Sequence, residues 1–312
     1  MRLTMRRTLF LVSLVLLSIP LLAEKEPERP RIFGITRVQI LVTDLAEARS
    51  FYTKILGQAY NCNWCEQVPG RSFLINDFQG ILLSPASSPV ASNLIKEITF
   101  ATDDVPKLRR YLLAHNVTVS EPQGKDKAAG PFLSVVDPEG HRISFIQSLG
   151  VTFRKPGYPP DSQPPSNLHL IHAGFVVRDR AAEDKFYKDI LGFHVYWHGG
   201  MKDDETNWVD MQVPDGTDWL EYMLNVSPEA DHHTRGVMNH IAIGTSDIKA
   251  VTARLRADGV VPILEQPKIG RDGKWQLNLY DPDETRVEFM EFTPVQKPCC
   301  SDYTGPHPGS KQ

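Results

Sequence analysis

An internal repeat constrains this chain more than any other feature. Val38-Gln39-Ile40-Leu41-Val42-Thr43-Asp44 leads into Ala46-Glu47-Ala48-Arg49-Ser50-Phe51-Tyr52-Thr53-Lys54-Ile55-Leu56-Gly57. Far downstream, Ala173-Gly174-Phe175-Val176-Val177-Arg178-Asp179 leads into Ala181-Ala182-Glu183-Asp184-Lys185-Phe186-Tyr187-Lys188-Asp189-Ile190-Leu191-Gly192. The apolar run, the Asp, the Phe-Tyr pair and the Leu-Gly stop recur at the same offsets, so one unit is used more than once. Each copy reads as a strand, an aspartate placed to cap a helix, and an amphipathic helix closed by glycine.

Two more strand–helix starts follow the same plan. Ile98 to Asp103 leads into a helix over 105–115, and Ile241 to Asp247 into a helix over 248–258. Each half closes on a matching strand, Asp137-Pro138-Glu139-Gly140-His141-Arg142-Ile143-Ser144-Phe145 and Asp281-Pro282-Asp283-Glu284-Thr285-Arg286-Val287-Glu288-Phe289. Alternating runs such as Trp208–Val213 and Trp219–Leu224 supply the strands between. The chain therefore predicts four strand–helix–strand–strand–strand units in two domains, 32–149 and 168–294. A Pro-rich linker over 150–167 joins them and a flexible tail over 295–312 follows.

The doubled unit, the Phe-Tyr…Leu-Gly helix and the Asp-Pro turn before the last strand resemble the vicinal-oxygen-chelate superfamily. That group includes glyoxalase I, methylmalonyl-CoA epimerase, extradiol dioxygenases and the fosfomycin- and bleomycin-resistance proteins. The resemblance covers nearly all of residues 32–292 and implies an α+β fold: two tandem domains, each a pair of βαβββ units curled into a cupped mixed sheet. It says much about fold and little about reaction, because one fold hosts many chemistries.

The first residues carry a separate message. Arg2, Arg6 and Arg7 precede an apolar run from Leu9 to Leu22, and Ala23 stands before a charged stretch. This is the layout of a signal peptide over 1–23, cleaved near Ala23, and it predicts an exported protein without stable membrane insertion. Formal charge is −4. A mildly acidic chain with no basic run offers nucleic acid no electrostatic footprint, so the expected partner is a small-molecule substrate, with a homodimer open. Cys62, Cys65, Cys299 and Cys300 are an even set, which an oxidising compartment favours as disulfides; a staple between the Cys62–Cys65 loop and the tail is expected.

The resemblance places metal ligands on the first and last strands of each unit. In the second domain those positions hold His172, Glu221, His240 and Glu288, at intervals of 49, 19 and 48 residues. The residues themselves agree with it. Alternation on a strand puts His172 with Gly174 and Val176, and His240 with Ala242 and Gly244, above small neighbours that leave room for a ligand. A glutamate on an apolar, cup-facing strand needs a partner or a cation to neutralise it. Imidazole with carboxylate suits one divalent ion, Zn, Ni, Fe or Mn. The first domain carries Arg37, Gly80 or Gln79, Glu97 and Ser144 instead, and guanidinium, glycine and serine are poor ligands, so this domain is expected to hold no metal. His169, His232, His233 and Glu291 are read as surface residues. Trp197, Trp208, Trp219 and Trp275 are candidates to line an apolar pocket.

Three activities fit this set. The first is proton transfer next to a metal-polarised carbonyl, of isomerase or lyase type, with Glu221 or Glu288 as the catalytic acid–base group. The second is an extradiol Fe(II) ring-cleaving dioxygenase using His172, His240 and Glu288. Against it, Gly273–Tyr280 lacks the histidine that such enzymes place before a tyrosine, and Glu221 fills a position they leave open. The third is a non-catalytic binding or resistance protein.

Overall fold

In the computed structural model, which describes residues 27–57, 72–87, 93–121, 130–147 and 168–309, each repeat opens with a strand turned by an aspartate. The expected leader, the linker, Cys62 and Cys65 lie outside the described residues. In the first domain β1 (Ile32–Val42) runs into α1 (Leu45–Leu56), and the Asp44 carboxylate accepts the N–H groups of Ala46 and Glu47. The helix stops at Gly57, whose φ of 97° a side chain would resist. Then come β2 (Ser72–Leu74), β3 (Gly80–Pro85), β4 (Ile95–Thr102), α2 (Val105–Ala114), β5 (Phe132–Val136) and β6 (Arg142–Gln147). Asp104, one residue beyond the expected Asp103, caps α2.

The second domain shows the predicted unit twice. The first unit is β7 (His169–Val176), α3 (Arg180–Asp184), a π-helical turn over Lys185–Ile190, β8 (His194–Gly199), β9 (Trp208–Gln212) and β10 (Trp219–Met223). The second is β11 (His240–Thr245), α5 (Ile248–Ala257), β12 (Lys268–Ile269), β13 (Trp275–Tyr280) and β14 (Arg286–Glu291), with a short helix, α4 (His232–Met238), joining the two. The strands form two mixed sheets, ordered β2-β3-β1-β4-β6-β5 and β12-β13-β14-β11-β7-β10-β9-β8. At each centre the opening strands of the two units lie antiparallel, β1 with β4 and β7 with β11, each flanked on its other side by a parallel strand.

One apolar core runs through both domains rather than one in each. Phe100 and Phe193, both buried, meet edge to face across the junction at 5.4 Å. The repeated tyrosine explains itself here. Tyr187 donates to Asp137 Oδ2 in the first domain's final turn (3.0 Å), and Tyr52 donates to Asp281 Oδ2 in the second's (3.2 Å). The second helices repeat the exchange with different chemistry: Tyr111 OH donates to the Ile190 carbonyl, and Arg254 Nη2 to that of Ile55. Each domain is thus bonded into the matching place in the other.

Four sequence expectations need correction. The tail is ordered through residue 309: it joins the two edges of the eight-stranded sheet. Cys299 N and Val295 N donate to the Arg271 and Gly273 carbonyls beside β13, while Thr304 N donates to Tyr196 O on β8. Backbone groups with partners at both edges hold a segment that its composition marked as loose. Cys299 is bonded to Cys300, so neither of the tail's cysteines is left for the expected staple. His169 is tied at the junction, Nε2 to Asp218 Oδ1 at 2.5 Å, whereas His232 and His233 on α4 are exposed, as expected. Glu291 accepts the N–H of Ile248 and so caps α5.

Candidate metal centre

The four predicted residues come together on four adjacent strands, β14, β11, β7 and β10. The register sets them in two rows. Glu221 and His240 both lie across from Gly174, one on each side of β7, and His172 and Glu288 both lie across from Ala242 on β11. A small residue thus stands between each acid and its histidine. Gly174 is required: a Cβ there would lie 2.1 Å from His240 Cε1.

The side chains converge in the cup. His172 Nε2 and His240 Nε2 are 3.0 Å apart, and Glu221 Oε2 is 2.9 Å from the second and 3.4 Å from the first. Glu288 Oε2 lies 3.8 Å from His172 Nε2. His172, His240 and Glu288 bring ligand atoms within 4.8 Å of one another. Both histidines and Glu288 are buried, and Glu221 is nearly so. Tautomers follow from the outer contacts: His240 Nδ1 meets the Met238 carbonyl at 3.2 Å, so it carries the proton and Nε2 offers its lone pair inward.

The donor set suits a cation. Burial pushes both imidazoles below their usual range, so neither carries the charge that would balance the carboxylates. Burial also pushes Glu288 up to about 8. For Glu221 burial acts the same way, yet the polar groups around it and the fixed positive charge of Arg286 hold its carboxyl below the usual carboxylate range. Four of the donor-atom pairs are 2.9–3.8 Å apart, the spacing that an ion bonded at about 2.0–2.2 Å needs.

Sequence reasoning missed the second ring of charge. Arg286 shares the cup-facing side of β14 with Glu288, and its Nη2 is 2.7 Å from His240 Nε2. Strand alternation would have found it. Lys274 is wholly buried, with Nζ over the rings of Trp219, Tyr303 and Tyr196 at 4.6, 5.0 and 5.3 Å. Buried Asp210 pairs across the strands with Glu221, and buried Asp272 stands two residues before Lys274. Nothing in the periodicity signals Lys274, because Tyr303 comes from the tail. Above these groups opens a cavity of about 720 Å³ whose apolar wall includes Trp197, Trp208, Trp219, Leu277 and Met290. Trp275 does not join them; it packs on the outer core.

The matching place in the first domain is filled by an ion-pair triad. Glu97 accepts from Arg37 Nη2 at 3.2 Å and from Arg142 Nε at 2.7 Å, so two guanidinium groups stand where the second domain converges its donors. Ser144 is spent on a 2.7 Å bond with Ser134. The residue matching Glu221 is Leu82, which lies across from Gln39 as Glu221 does from Gly174. Gly80 pairs with Arg37, two residues short, and Gln79 is a junction residue whose Nε2 donates to the Ile35 and Leu170 carbonyls.

Fold and motif together define a class. The model of the Glyoxalase/Bleomycin resistance protein/Dioxygenase superfamily matches residues 34–145 and 169–289, so the chain belongs to that superfamily. A lactoylglutathione lyase of Haemophilus influenzae is 26% identical over 125 residues, 40% of this chain and 93% of that protein. Homoprotocatechuate 2,3-dioxygenase of Brevibacterium fuscum, solved with 3,4-dihydroxyphenylacetate, is similar in fold, with a TM-score of 0.60 at 21% identity. That likeness covers 91% of this chain and 85% of the other. A room-temperature structure of an extradiol ring-cleaving dioxygenase from B. fuscum gives the same TM-score and identity, covering 88% and 75%.

Proposed function

We propose that this chain is an exported, metal-dependent enzyme that moves a proton next to a carbonyl of a small molecule, an isomerase or lyase of glyoxalase type. His172, His240, Glu221 and Glu288 would hold one divalent ion, Zn, Ni, Fe or Mn. When bound, that ion would polarise the substrate carbonyl and acidify the neighbouring C–H. The observation that carries the reading is the fourth residue: Glu221 touches both histidines, making a two-histidine, two-glutamate set.

The chain's own groups divide the work. Glu221, gripped between the imidazoles, is the fixed acceptor. Glu288, farther out at 3.8 Å from one histidine only, is the carboxylate free to take the proton and return it. Arg286 sets a fixed positive charge beside His240, where it opposes negative charge developing on the substrate oxygen. The tryptophan wall gives an apolar part of a substrate a surface to lie on beside the reacting face. The leader over 1–23 supports export.

One observation favours a second reading, ring cleavage of a catechol: His172, His240 and Glu288 alone make a compact trio, in a chain whose fold likeness to an extradiol dioxygenase spans both domains. Two variants separate the readings. In proton transfer, Glu288→Gln keeps the metal but slows solvent-deuterium exchange next to a ketone or aldehyde by about 10²–10⁴-fold, and Glu221→Gln weakens metal binding. Oxygen consumption with catechols that survives Glu221→Gln and vanishes with Glu288→Gln would promote the dioxygenase. A metal-loaded protein that binds small carbonyls and turns over neither class would leave a binding protein.

A further inference from the structure

A second group of metal-competent side chains lies at the domain junction, away from the cup. Asp137, His141 and Glu183 each bring a ligand atom to within 4.8 Å of the others. Asp137 and Glu183 are buried, and the His141 side chain is 16% exposed. The final turn of the first domain supplies Asp137 and His141, while Glu183 comes from α3 of the second, so the group bridges both.

Most of its bonds are ordinary. Asp137 Oδ1 accepts the N–H groups of Glu139 and His141, and Oδ2 meets Tyr187 OH and His141 Nδ1. Glu183 Oε1 accepts the N–H of Glu139 at 3.0 Å. Glu183 Oε2 is the exception: it is buried and has no hydrogen-bond partner among the described residues. A carboxylate oxygen out of water without a partner is costly, and here it stands close to a second carboxylate.

The pseudo-symmetric junction is the control. There Tyr52 and Asp281 repeat the tyrosine–aspartate bond, but Thr285 replaces His141 and Ala48 replaces Glu183. The joint therefore closes without the second acid, and Glu183 is not needed for packing. We propose that Asp137, His141 and Glu183 form a second cation site, for Zn²⁺ or a similar first-row divalent ion, which pins the two domains together. One imidazole and two carboxylates suit such an ion better than Mg²⁺ or Ca²⁺, which prefer oxygen throughout. A single divalent charge balances both acids and takes the oxygen left over. Entry is open beside His141 and Glu139, which line an interdomain cleft of about 290 Å³ with Arg142, Arg178 and Asn239. This site is independent of the cup.

The test uses the full chain, stripped with chelator, dialysed against Zn²⁺ and analysed for bound metal and melting temperature. His172→Ala with His240→Ala disables the cup. That double variant is expected to keep about one equivalent of zinc and to melt several degrees higher with zinc than without. Adding Glu183→Gln, which preserves volume, should abolish both effects. If the double variant loses its fold, the wild type should hold about two equivalents and Glu183→Gln alone about one. A folded double variant that takes up no zinc, or uptake unchanged by Glu183→Gln, overturns the proposal; a proton on Glu183 then fills the role assigned to the ion.

Discussion

Gly174→Ala tests the two-row placement of the ligands with a single methyl group. The added Cβ would lie 2.1, 2.5 and 2.9 Å from Cε1, Nδ1 and Nε2 of His240. Non-bonded carbons settle at about 3.5 Å or more, so the ring must retreat by about 1.4 Å. It has little room to do so, because His240 is fully buried and sits against Glu221, His172 and Arg286. Metal–ligand bonds tolerate only about ±0.2 Å, so the retreat removes His240 from the set. Displacing outer support alone costs about 10–100-fold in metal affinity, and losing the ligand should exceed the upper end. Overpacking should also cost about 1–3 kcal/mol of stability in the metal-free protein. Competition against a chromophoric chelator reads the first effect and thermal denaturation with chelator the second. Wild-type affinity with an unchanged melting temperature would show that His240 does not lie over Gly174, and the row geometry would fail with it.

Three other perturbations reach different parts of the molecule. Burial would lower the pKa of His169, but the charge and hydrogen bond of Asp218 raise it. The pair therefore stabilises the fold at pH values below the ordinary histidine range, and this contribution is lost as pH rises through the raised value. The melting temperature should show that step, His169→Gln should remove it, and an identical profile in the variant would refute it. Tyr187→Phe deletes a buried hydrogen bond to a carboxylate across the junction and should cost about 1.5–3 kcal/mol in denaturant titration, against near zero if the junction is not closed as described. Ending the chain after Thr293 should uncover Trp197, whose Nε1 donates to the Cys299 carbonyl, and red-shift its fluorescence; an unchanged spectrum would argue that the tail is not seated there.

How far the sequence could be read depended on whether local periodicity or distant contact decided a feature. The opening strands and their aspartate caps were legible because strand alternation and a fixed repeat offset are simple rules, and the four metal-competent residues were legible through the family resemblance, which set their positions on those strands. Alternation failed at β7. The register slips between His172 and Leu170, so Ile171 turns into the cup beside Trp219 and Met290 while Leu170 joins the main core. One extra residue in a strand leaves no mark in composition. Leu82 was missed as the counterpart of Glu221 for a related reason: the expected positions, Gly80 or Gln79, fall short of it, and only the pairing with Gln39 fixes the match. Lys274 and the closing tail depend on residues from about thirty to more than a hundred positions apart in sequence, beyond any window of local pattern.

The crossed tyrosine–aspartate bonds carry a consequence for how this molecule can be divided. Each half presents a docking face whose complement is the other half, and the two faces are near-copies: Tyr187 could find Asp281 of another second domain much as it finds Asp137 here. Cutting the chain between 148 and 167 should therefore yield fragments that reassemble when mixed. The second half alone should pair with its twin, at a cost, because Glu183 would then face Thr285 instead of His141. In the intact chain the first half already occupies that berth. A segment that does not carry the ligand set of the cup thus serves the half that does as a tethered companion, present at a local concentration no free partner could match.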